Sequence, residues 1–293
     1  MPLLTSNANS AYLPDAVASL VVQPAQRMSV AVAAVGGPPQ VIRGEINNSS
    51  VFRVPTVTVD PSAAWVAEGA EITQSNPTLG QTEVPYRKVA ALTVVSNEMA
   101  NDSDPAAQEL VGAGLARDIA RKLDAAFFGT NVGVTATQPA GLGDLIGFTP
   151  IDAGAILTVD PFIEAAMNVS ALGDPTVKVA WVANPADALA LAQLKDEASS
   201  NRPLLIPTST DADGLPVYTV AGWPVYISPA VEPGTVWGVP SGRVLIAMRQ
   251  DVTLERSEER YYEYDSIGLR CVARVAFAFP HPAAVQKITV TEE

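Results

Sequence analysis

The residue types that most often carry chemistry are scarce in this chain, and their spacing assembles neither a catalytic site nor a metal site. His281 is the only histidine, and it lies between two prolines. The sequence contains no Cys-x-x-Cys, no His-Glu-x-x-His and no glycine-rich loop ending in Lys-Ser or Lys-Thr, so metal, protease and nucleotide sites lack their minimum parts. A Ser-His-Asp system has equally little support. We therefore predict no catalytic residue, no metal and no cofactor.

Acidic pairs are the remaining candidates for catalysis. Asp251 and Glu255, or Glu258 and Glu259, are close enough in sequence to act together as acid and base. With 31 Asp and Glu residues in the chain, coincidence explains these pairs better than a glycosidase-like mechanism does. A small α+β hydrolase using scattered carboxylates is kept as a remote alternative.

Composition favours a globular, non-membrane protein. The 293 residues are 48% hydrophobic, enough for a substantial core in one large or two small domains. No apolar run approaches a membrane span, and the first residues lack the basic start of a secretory signal, so we expect a soluble protein made in a cytoplasm. Cys271 is the single cysteine and is expected to be packed in a strand. The net charge of -13, without a basic patch, disfavours direct nucleic-acid binding.

The stretch from Phe52 to Ser103 has strand-like ends and a polar middle, which predicts a long two-stranded arm. The apolar residues that lead out and back are Val54, Val57, Val59, Val84, Val89, Leu92 and Val94. One hairpin alone buries too little apolar area to be stable, so the arm needs a partner. Either the arm folds flat within its own subunit, or it reaches a neighbouring subunit with Trp65 as an anchor.

Three helix starts share one signal, an Asx residue followed by proline at the first helical position. They are Asp104-Pro105, Asp160-Pro161 and Asn184-Pro185. In the first helix an apolar residue recurs every four positions, at Val111, Leu115, Ile119, Leu123 and Phe127. Asp124 is expected to lie off this apolar stripe, and Gly129 to end the helix.

The rest of the chain reads as mixed α+β. Predicted helices are 161–172 and 185–196, and predicted strands are 178–182, 217–220, 223–227, 243–248, 252–256 and 267–279. The last strand alternates so that one face, from Leu269 to Phe279, is apolar. Gly141-Leu142-Gly143 is interpreted as a turn.

Several weak motifs, in one order and spacing, resemble a known family. They are Trp65-Val66-Ala67-Glu68-Gly69, Ser96-Asn97-Glu98-Met99 before a helix, Phe127-Phe128-Gly129-Thr130-Asn131, Gln138-Pro139-Ala140-Gly141-Leu142, Ala221-Gly222-Trp223-Pro224-Val225 and Leu269-Arg270-Cys271-Val272-Ala273-Arg274. Together, over about residues 50 to 290, they resemble tailed-phage major capsid proteins of the Hong Kong 97 type.

The resemblance implies an α+β, Hong Kong 97-like capsid fold. Its parts would be an N-terminal arm (1–50), an extended β-hairpin loop (51–92), a peripheral domain with a long spine helix (93–145 and 265–293) and an axial domain (146–264). The strand returning at 267–279 would complete the peripheral domain beside the base of the arm. The implied function is structural: pentamers and hexamers form an icosahedral virion shell, assembled in the host bacterial cytoplasm, around double-stranded DNA that is not bound sequence-specifically. An encapsulin-type nanocompartment shell has the same fold and is the nearest alternative.

The implied intersubunit interface comprises Phe52, Trp65, Glu68 and Arg87. Some family members also join a lysine of the extended loop to a neighbour's asparagine. Here the five lysines are Lys88, Lys122, Lys178, Lys195 and Lys287, so none lies in the outer arm and we expect a shell without covalent cross-links. No long charged helix precedes the arm, so we expect a separate scaffold protein or assembly control by the subunit itself; portal and decoration proteins are further expected partners.

Overall fold

The computed structural model describes residues 29–36, 40–43, 50–96, 105–131, 137–154, 158–172, 177–194, 203, 205–210, 216–257 and 259–290. Within these residues the α-helices are α1 (Val30–Val35), α2 (Pro105–Phe128), α3 (Asp160–Ala171) and α4 (Pro185–Gln193). The strands are β1 (Val41–Arg43), β2 (Val51–Val59), β3 (Thr78–Pro85), β4 (Arg87–Ser96), β5 (Ile151–Asp152), β6 (Val179–Ala183), β7 (Ile206–Thr210), β8 (Pro216–Val220), β9 (Trp223–Ile227), β10 (Thr235–Pro240), β11 (Leu245–Ser257), β12 (Ser266–Ala278) and β13 (Gln286–Thr289). Short 3-10 helices span Leu142–Asp144, Tyr262–Tyr264 and Pro282–Ala284.

The described strands form three sheets, and the mixture with helices confirms the α+β class. One sheet has the order β1-β11-β12-β4, a second has the order β5-β13-β10-β6-β9-β8-β7, and the third is the hairpin β2-β3. Two strands pair in a sheet that lies outside the domain to which the resemblance assigns them. β11 pairs in the four-stranded sheet although all of it falls in the segment 146–264, and β13 pairs in the seven-stranded sheet although it falls in 265–293.

The arm is a shorter hairpin than the sequence predicts. β2 pairs with β3, whereas β4, which carries Val89, Leu92 and Val94 of the predicted returning limb, pairs with β12. The limb is divided at Tyr86, directly after Pro85, which has no backbone N–H with which to continue a ladder. β4 leaves the arm because one of its faces is covered by α2 in a shared apolar cluster.

β12 matches the predicted last strand to within one residue at each end, and its pairing with β4 places it beside the base of the arm as expected. The alternation holds in the middle of the strand, where Cys271 and Ala273 are buried while Arg270 and Arg274 on the opposite face are exposed, but from Val275 to Ala278 both faces are buried. Cys271 packs under α2, and burial raises the pKa of its thiol to about 11, so this cysteine is packing rather than a reactive group.

The two strands predicted at 243–248 and 252–256 are one continuous strand, β11. Its pairing with β12 shifts register between Met248 and Gln250 and again between Gln250 and Thr253. A local irregularity of this kind leaves residues out of the ladder while the strand continues. The strand pattern of the sequence is therefore interrupted between residues 248 and 252, although the strand itself is continuous.

Two of the three Asx residues predicted to cap helices lie in the described part of the chain, and one of these two is a cap. Asn184 caps α4, with its side-chain oxygen accepting from the N–H of Ala186 at 3.0 Å. Asp160 does not cap α3: it lies in the first turn, and the N-cap position is Val159. Since an acidic residue in the first turn complements the helix dipole, Asp160 still favours the helix start. Asp104 lies outside the described residues.

The apolar stripe of α2 is confirmed from Leu115 to Phe127, and it leads into the main core. Phe127 is fully buried, and its ring centroid lies 5.1 Å from that of Phe277 and 5.9 Å from that of Phe279. The same apolar cluster includes residues of α1 and of both large sheets, such as Val182 and Ile246. The end of α2 therefore connects the two sheets through one core.

The segment after α2 forms a hydrogen-bonded turn that ends the helix. The Asp144 carboxylate accepts from the N–H of Asn131 at 2.9 Å and from the N–H of Gly141 at 2.8 Å. The Asn131 amide donates to the carbonyls of Ala126 (2.6 Å) and Pro139 (3.0 Å). A Cβ at Gly141 would lie 2.3 Å from the carbonyl oxygen of Gly129, so only glycine fits this close approach. The turn predicted at Gly141-Leu142-Gly143 is a short 3-10 helix, Leu142–Asp144.

Asp124 contradicts the sequence prediction that it lies off the buried stripe, because it is only 6% exposed. Its carboxylate accepts from the Ser29 hydroxyl at 2.6 Å and from the N–H groups of Val30 and Ala31 at 3.0 Å. It thereby satisfies backbone donors at the start of α1, which helix geometry leaves without intrahelical partners. Burial raises the pKa of Asp124, and the three hydrogen bonds oppose that rise.

We expect Asp124→Asn to lower the free energy of unfolding by about 1 kcal/mol, because an amide nitrogen replaces one accepting oxygen. The deficit should shrink as the pH rises from 4 to 7. Because the pKa of Asp124 in the folded protein lies above the ordinary carboxyl value of 3.8, Asp124 contributes stability that is greatest below pH 3.8 and is lost as the pH rises through the folded pKa. Urea unfolding at four pH values measures this trend. Asp118→Asn, an exposed change on the same helix, is the control, and a deficit that stays constant with pH would contradict the prediction.

Candidate subunit interface

The arm, residues 51–85, ends in a tip, residues 60–77, that has a turn but no strand. The N–H of Ala70 donates to the carbonyl of Ala67 at 3.1 Å, which closes a turn over Glu68 and Gly69. Gly69 has a φ of 80°, a value that suits glycine as the third residue of a type II turn. The N–H of Ser62 donates to the Ser75 hydroxyl at 2.9 Å, across the tip. Local hydrogen bonds, rather than a packed core, therefore shape the tip.

The tip exposes large apolar side chains to solvent. Trp65 is 105% exposed and Ile72 is 80% exposed, and Ser75 alone among the tip residues is not classed as exposed. A tryptophan can bury about 150–250 Å² in a contact, so its full exposure leaves a large apolar area without cover in its own chain. The structure therefore does not pack Trp65 within its own subunit.

The tip is also acidic. Asp60, Glu68 and Glu71 lie between residues 60 and 77, and this segment has no Lys, Arg or His. A fully exposed aromatic side chain beside carboxylates suits a partner surface that is both apolar and basic.

The root of the arm is fixed to its own subunit, which corrects the expectation that Phe52 is free for a neighbour. Phe52 is 4% exposed and packs in a cluster with Ala247, Ala276 and Ala278. Its ring centroid lies 6.2 Å from that of Tyr86. Because β11 and β12 present alanines here, they leave room for the aromatic ring. The arm is thus covered within the chain at its root and uncovered at its tip.

The fold does not bring the predicted interface residues together within one subunit. Trp65 and Glu68 lie at the tip, whereas Arg87 begins β4 at the other end of the hairpin. The paired strands have nine and eight residues, which at about 3.3 Å per residue separate the two ends by roughly 25 Å. The Arg87 Nε is buried and has no hydrogen-bond partner among the described residues.

The face of β4 and β12 that points away from α2 carries a second exposed surface, called here the cationic face: Lys88, Leu92, Val94, Arg270 and Arg274. Leu92 is 57% exposed and Val94 is 47% exposed. Arg270 forms an ion pair with Glu255 of β11. Lys88 and Arg274 are direct cross-strand partners. The surface therefore combines positive charge with apolar side chains.

Sequence reasoning missed the cationic face, although a signal for it was present. The period of two in β12 already placed Arg270 and Arg274 on the face opposite the buried residues. What the sequence did not show was the strand beside them, because β4 had been assigned to the arm. Register between distant strands is not encoded by the alternation of either strand alone.

The described residues do not assemble a catalytic centre around the only histidine. His281 lines a cavity of about 350 Å³ together with Arg243, Thr56 and Thr58, and the lining contains no Asp, Glu, Cys or Lys. Burial and the neighbouring Arg243 lower the pKa of His281. Glu255, one of the candidate acids, is engaged with Arg270. The side chain of Asp251 and residue Glu258, two other candidate acids, lie outside what the structure describes.

Across the described ranges, no group of three or more His, Cys, Asp or Glu side chains is placed to hold a metal ion. No helix in that part of the chain is both long and apolar enough to span a membrane.

The fold, a helix-and-sheet body with a projecting hairpin, is the fold of capsid proteins. The capsid of an empty GTA particle superposes with a TM-score of 0.63 at 18% identity, covering 86% of this chain and 88% of that one. A structure from Microbacterium phage Oxtober96 gives a TM-score of 0.65 at 20% identity, covering 90% and 91%. A virus-like particle from Pyrococcus furiosus gives 0.60 at 10% identity, covering 94% and 98%. The expected Hong Kong 97-like fold is confirmed.

The chain belongs to the phage capsid family, whose model matches residues 11–290. No curated protein matches its sequence. The resemblance seen in the sequence motifs is therefore confirmed, and the chain is a structural capsid protein of the virion whose copies assemble into a shell.

Proposed function

We propose that this capsid protein forms pentamers and hexamers of an icosahedral shell that encloses the double-stranded DNA genome of a tailed bacteriophage. The observation that carries the proposal is the arm: its root is packed on its own subunit, and its tip exposes Trp65 to solvent. An exposed apolar side chain held away from the core of its own subunit marks an interaction site. In a shell built from one protein, the partner that covers it is another copy of the chain. Assembly takes place in the cytoplasm of the host, with separate scaffold, portal and decoration proteins as further partners.

The charge of the subunit suits confinement of DNA without adhesion. The net charge is -13, and a negatively charged chain gains little from phosphate contacts. DNA is then enclosed by the volume of the shell and is not recognised by sequence. We further propose that the protein has no catalytic activity and binds no membrane.

The interface that holds the shell is proposed to include Trp65 and Glu68 at the tip and Arg87 at the start of β4. Trp65 is the anchor because aromatic side chains contribute most at interface hot spots. Arg87 is included as a partly exposed cation at the base of the arm, whose guanidinium can pair with a carboxylate of a neighbour.

An encapsulin-type shell around a cargo enzyme is the second candidate, favoured only by the likeness to the Pyrococcus furiosus particle at 10% identity. Fold does not determine the contents of a shell. The family match to phage capsids makes the DNA-filled shell the preferred function.

Particles purified from cells infected with the phage that carries this protein should be tailed. They should contain DNA that resists added nuclease. Negative-stain microscopy and nucleic-acid extraction of purified particles are the measurements. Small uniform shells that contain an enzyme and no DNA would support the encapsulin candidate instead, and a protein that stays monomeric under all conditions would exclude both shells.

Purified particles boiled in denaturant should give one band near 30.6 kDa on a gel. The outer arm has no lysine, because the first lysine in the chain is Lys88, so the nucleophile for an isopeptide bond is missing there. A ladder of multimers that survives boiling and reducing agent would show that covalent cross-links form.

Trp65→Ala should leave the subunit fold unchanged and weaken assembly. Because the side chain is fully exposed, we expect a change in unfolding free energy within about 0.5 kcal/mol. Loss of an aromatic anchor at an interface costs about 2 kcal/mol or more per contact, which is roughly 30-fold in an equilibrium constant. Thermal unfolding of subunits and light scattering during assembly measure the two effects.

The control for Trp65→Ala is Ile146→Ala, which removes a side chain that is 89% exposed but lies outside the arm. It should assemble like the unchanged protein. Equal assembly yields and equal particle stability for Trp65→Ala and the unchanged protein would remove Trp65 from the interface.

A further inference from the structure

The cavity of about 350 Å³ beside His281 lies between the arm and the body of the same subunit. Its arm wall is part of β2, including Thr56 and Thr58, and its body wall includes the end of α3, Arg243 and the segment that follows β12. Pockets of this volume hold small ligands in many proteins, usually with a mainly apolar lining and a few polar groups. The cavity is therefore large enough for a small molecule, and its lining indicates which kind.

The side of the arm that faces the body changes its chemistry where it reaches the cavity. Near the root, Phe52 and Val54 belong to an apolar cluster with the four-stranded sheet. Alternate residues of a strand share a face, so Thr56 continues this side, and Thr58 follows it at the cavity. Hydroxyl groups replace apolar side chains there, and the tight packing of the root ends.

Gly80 leaves these two hydroxyls accessible. It is the cross-strand partner of Thr56, and a Cβ at this position would lie 3.1 Å from the Oγ1 atoms of both Thr56 and Thr58. Glycine weakens the interior of a strand, and it often marks a place where a ligand approaches the backbone closely. At Gly80 it keeps the arm wall of the cavity open.

The body wall of the cavity is cationic. Burial lowers the pKa of His281, and the positive charge of the neighbouring Arg243 lowers it further. These two are the only titratable side chains among the described residues that line the cavity. A guanidinium is permanently charged and presents a rigid fork of N–H donors that fits phosphate and carboxylate oxygens. The polar part of the cavity therefore favours an anion.

The rest of the lining is apolar. Val169, Leu172 and Val177 contribute aliphatic side chains, and the prolines on either side of His281 add to them. A bare inorganic anion would leave this aliphatic wall in contact with water, whereas a ligand with an apolar group would cover it. The two parts of the lining together suit a small molecule that is negatively charged at one end and apolar at the other.

We propose that this cavity binds a small organic phosphate, whose phosphate group accepts from the hydroxyls of Thr56 and Thr58 and from the guanidinium of Arg243. Its apolar group lies against Val169 and Leu172. A phosphate is favoured over a carboxylate because its three terminal oxygens can accept from donors on both walls. The inference does not depend on the proposed function, since both walls belong to one subunit. A bound ligand would connect the arm to the body.

The test is calorimetric titration of the full-length protein with three probes: phenyl phosphate, inorganic phosphate and benzyl alcohol. Phenyl phosphate carries both the charge and the apolar group, and each of the other two probes lacks one of them. We expect phenyl phosphate to bind at one site per subunit, roughly tenfold or more tightly than either of the others, because charge-assisted hydrogen bonds and apolar burial both contribute.

Two variants remove the two walls separately. Gly80→Val keeps every charge and suits a strand, but it crowds the hydroxyls, and Arg243→Gln removes the cation. Each should weaken the binding of phenyl phosphate roughly tenfold or more. The matched control is Arg53→Gln, which removes the same charge from an exposed ion pair with Glu83 on the same strand. It should stay within about threefold of the unchanged protein. Thermal unfolding checks that each variant is folded.

His281 gives an independent readout because it is the only histidine in the chain. A bound phosphate places negative charge beside the imidazole, which stabilises its protonated form. Saturation with phenyl phosphate should therefore raise the pKa of His281, measured by NMR of its ring Cε1–H group. The same addition to Gly80→Val should leave the pKa unchanged.

The contrary results are distinct from one another. Absence of saturable binding, or equal binding by the unchanged protein and both variants, overturns the site. Benzyl alcohol that binds as tightly as phenyl phosphate overturns the role of the cation and hydroxyls, and inorganic phosphate that binds as tightly overturns the role of the aliphatic wall. Particle formation plays no part in these measurements, so failure of the proposed function would leave the ligand site standing.

Discussion

The burial of Phe127 at the end of α2 is the contact on which the rest of the subunit depends. Its ring meets Phe277 of β12 and Phe279 just beyond it, and the surrounding cluster draws side chains from α1 and from both large sheets. Neither sheet has a complete core without this junction. Truncating such an aromatic residue typically costs about 3–5 kcal/mol, a large fraction of the stability of a domain. The turn that follows, held by Asn131 and Asp144, then fixes how the chain leaves the helix.

The arm depends on this body only at its root. The alanines of β11 and β12 accept Phe52, and from there the hairpin extends with alternating half-exposed residues until no strand remains. A two-stranded hairpin is marginal in water, so its persistence relies on the buried root and, in a shell, on the surface that covers the tip.

Sequence patterns predicted the elements that have strong periodicity and a local cause. The four-residue spacing of apolar residues predicted the position of α2, and the alternation predicted that of β12. Asn184 marked the start of α4 because its side chain caps that helix. Three features depended on long-range contacts and could not be predicted. Asp124 is buried because α1 brings backbone donors to it from 93 or more residues away. β4 left the arm because α2 covers it, and Phe52 is buried because small residues of distant strands face it.

The fixed root and exposed tip of the arm have a consequence for symmetry. A contact in which two different patches of one chain meet is heterologous, and such contacts either close into a ring or continue as an open filament, depending on the rotation between neighbours. If the arm tip contacts a neighbouring copy at a different patch, the angle at which the hairpin leaves its root at Phe52 sets that rotation. A ring of five and a ring of six need different rotations, so the proposed pentamers and hexamers require the hairpin to leave the body at two slightly different angles.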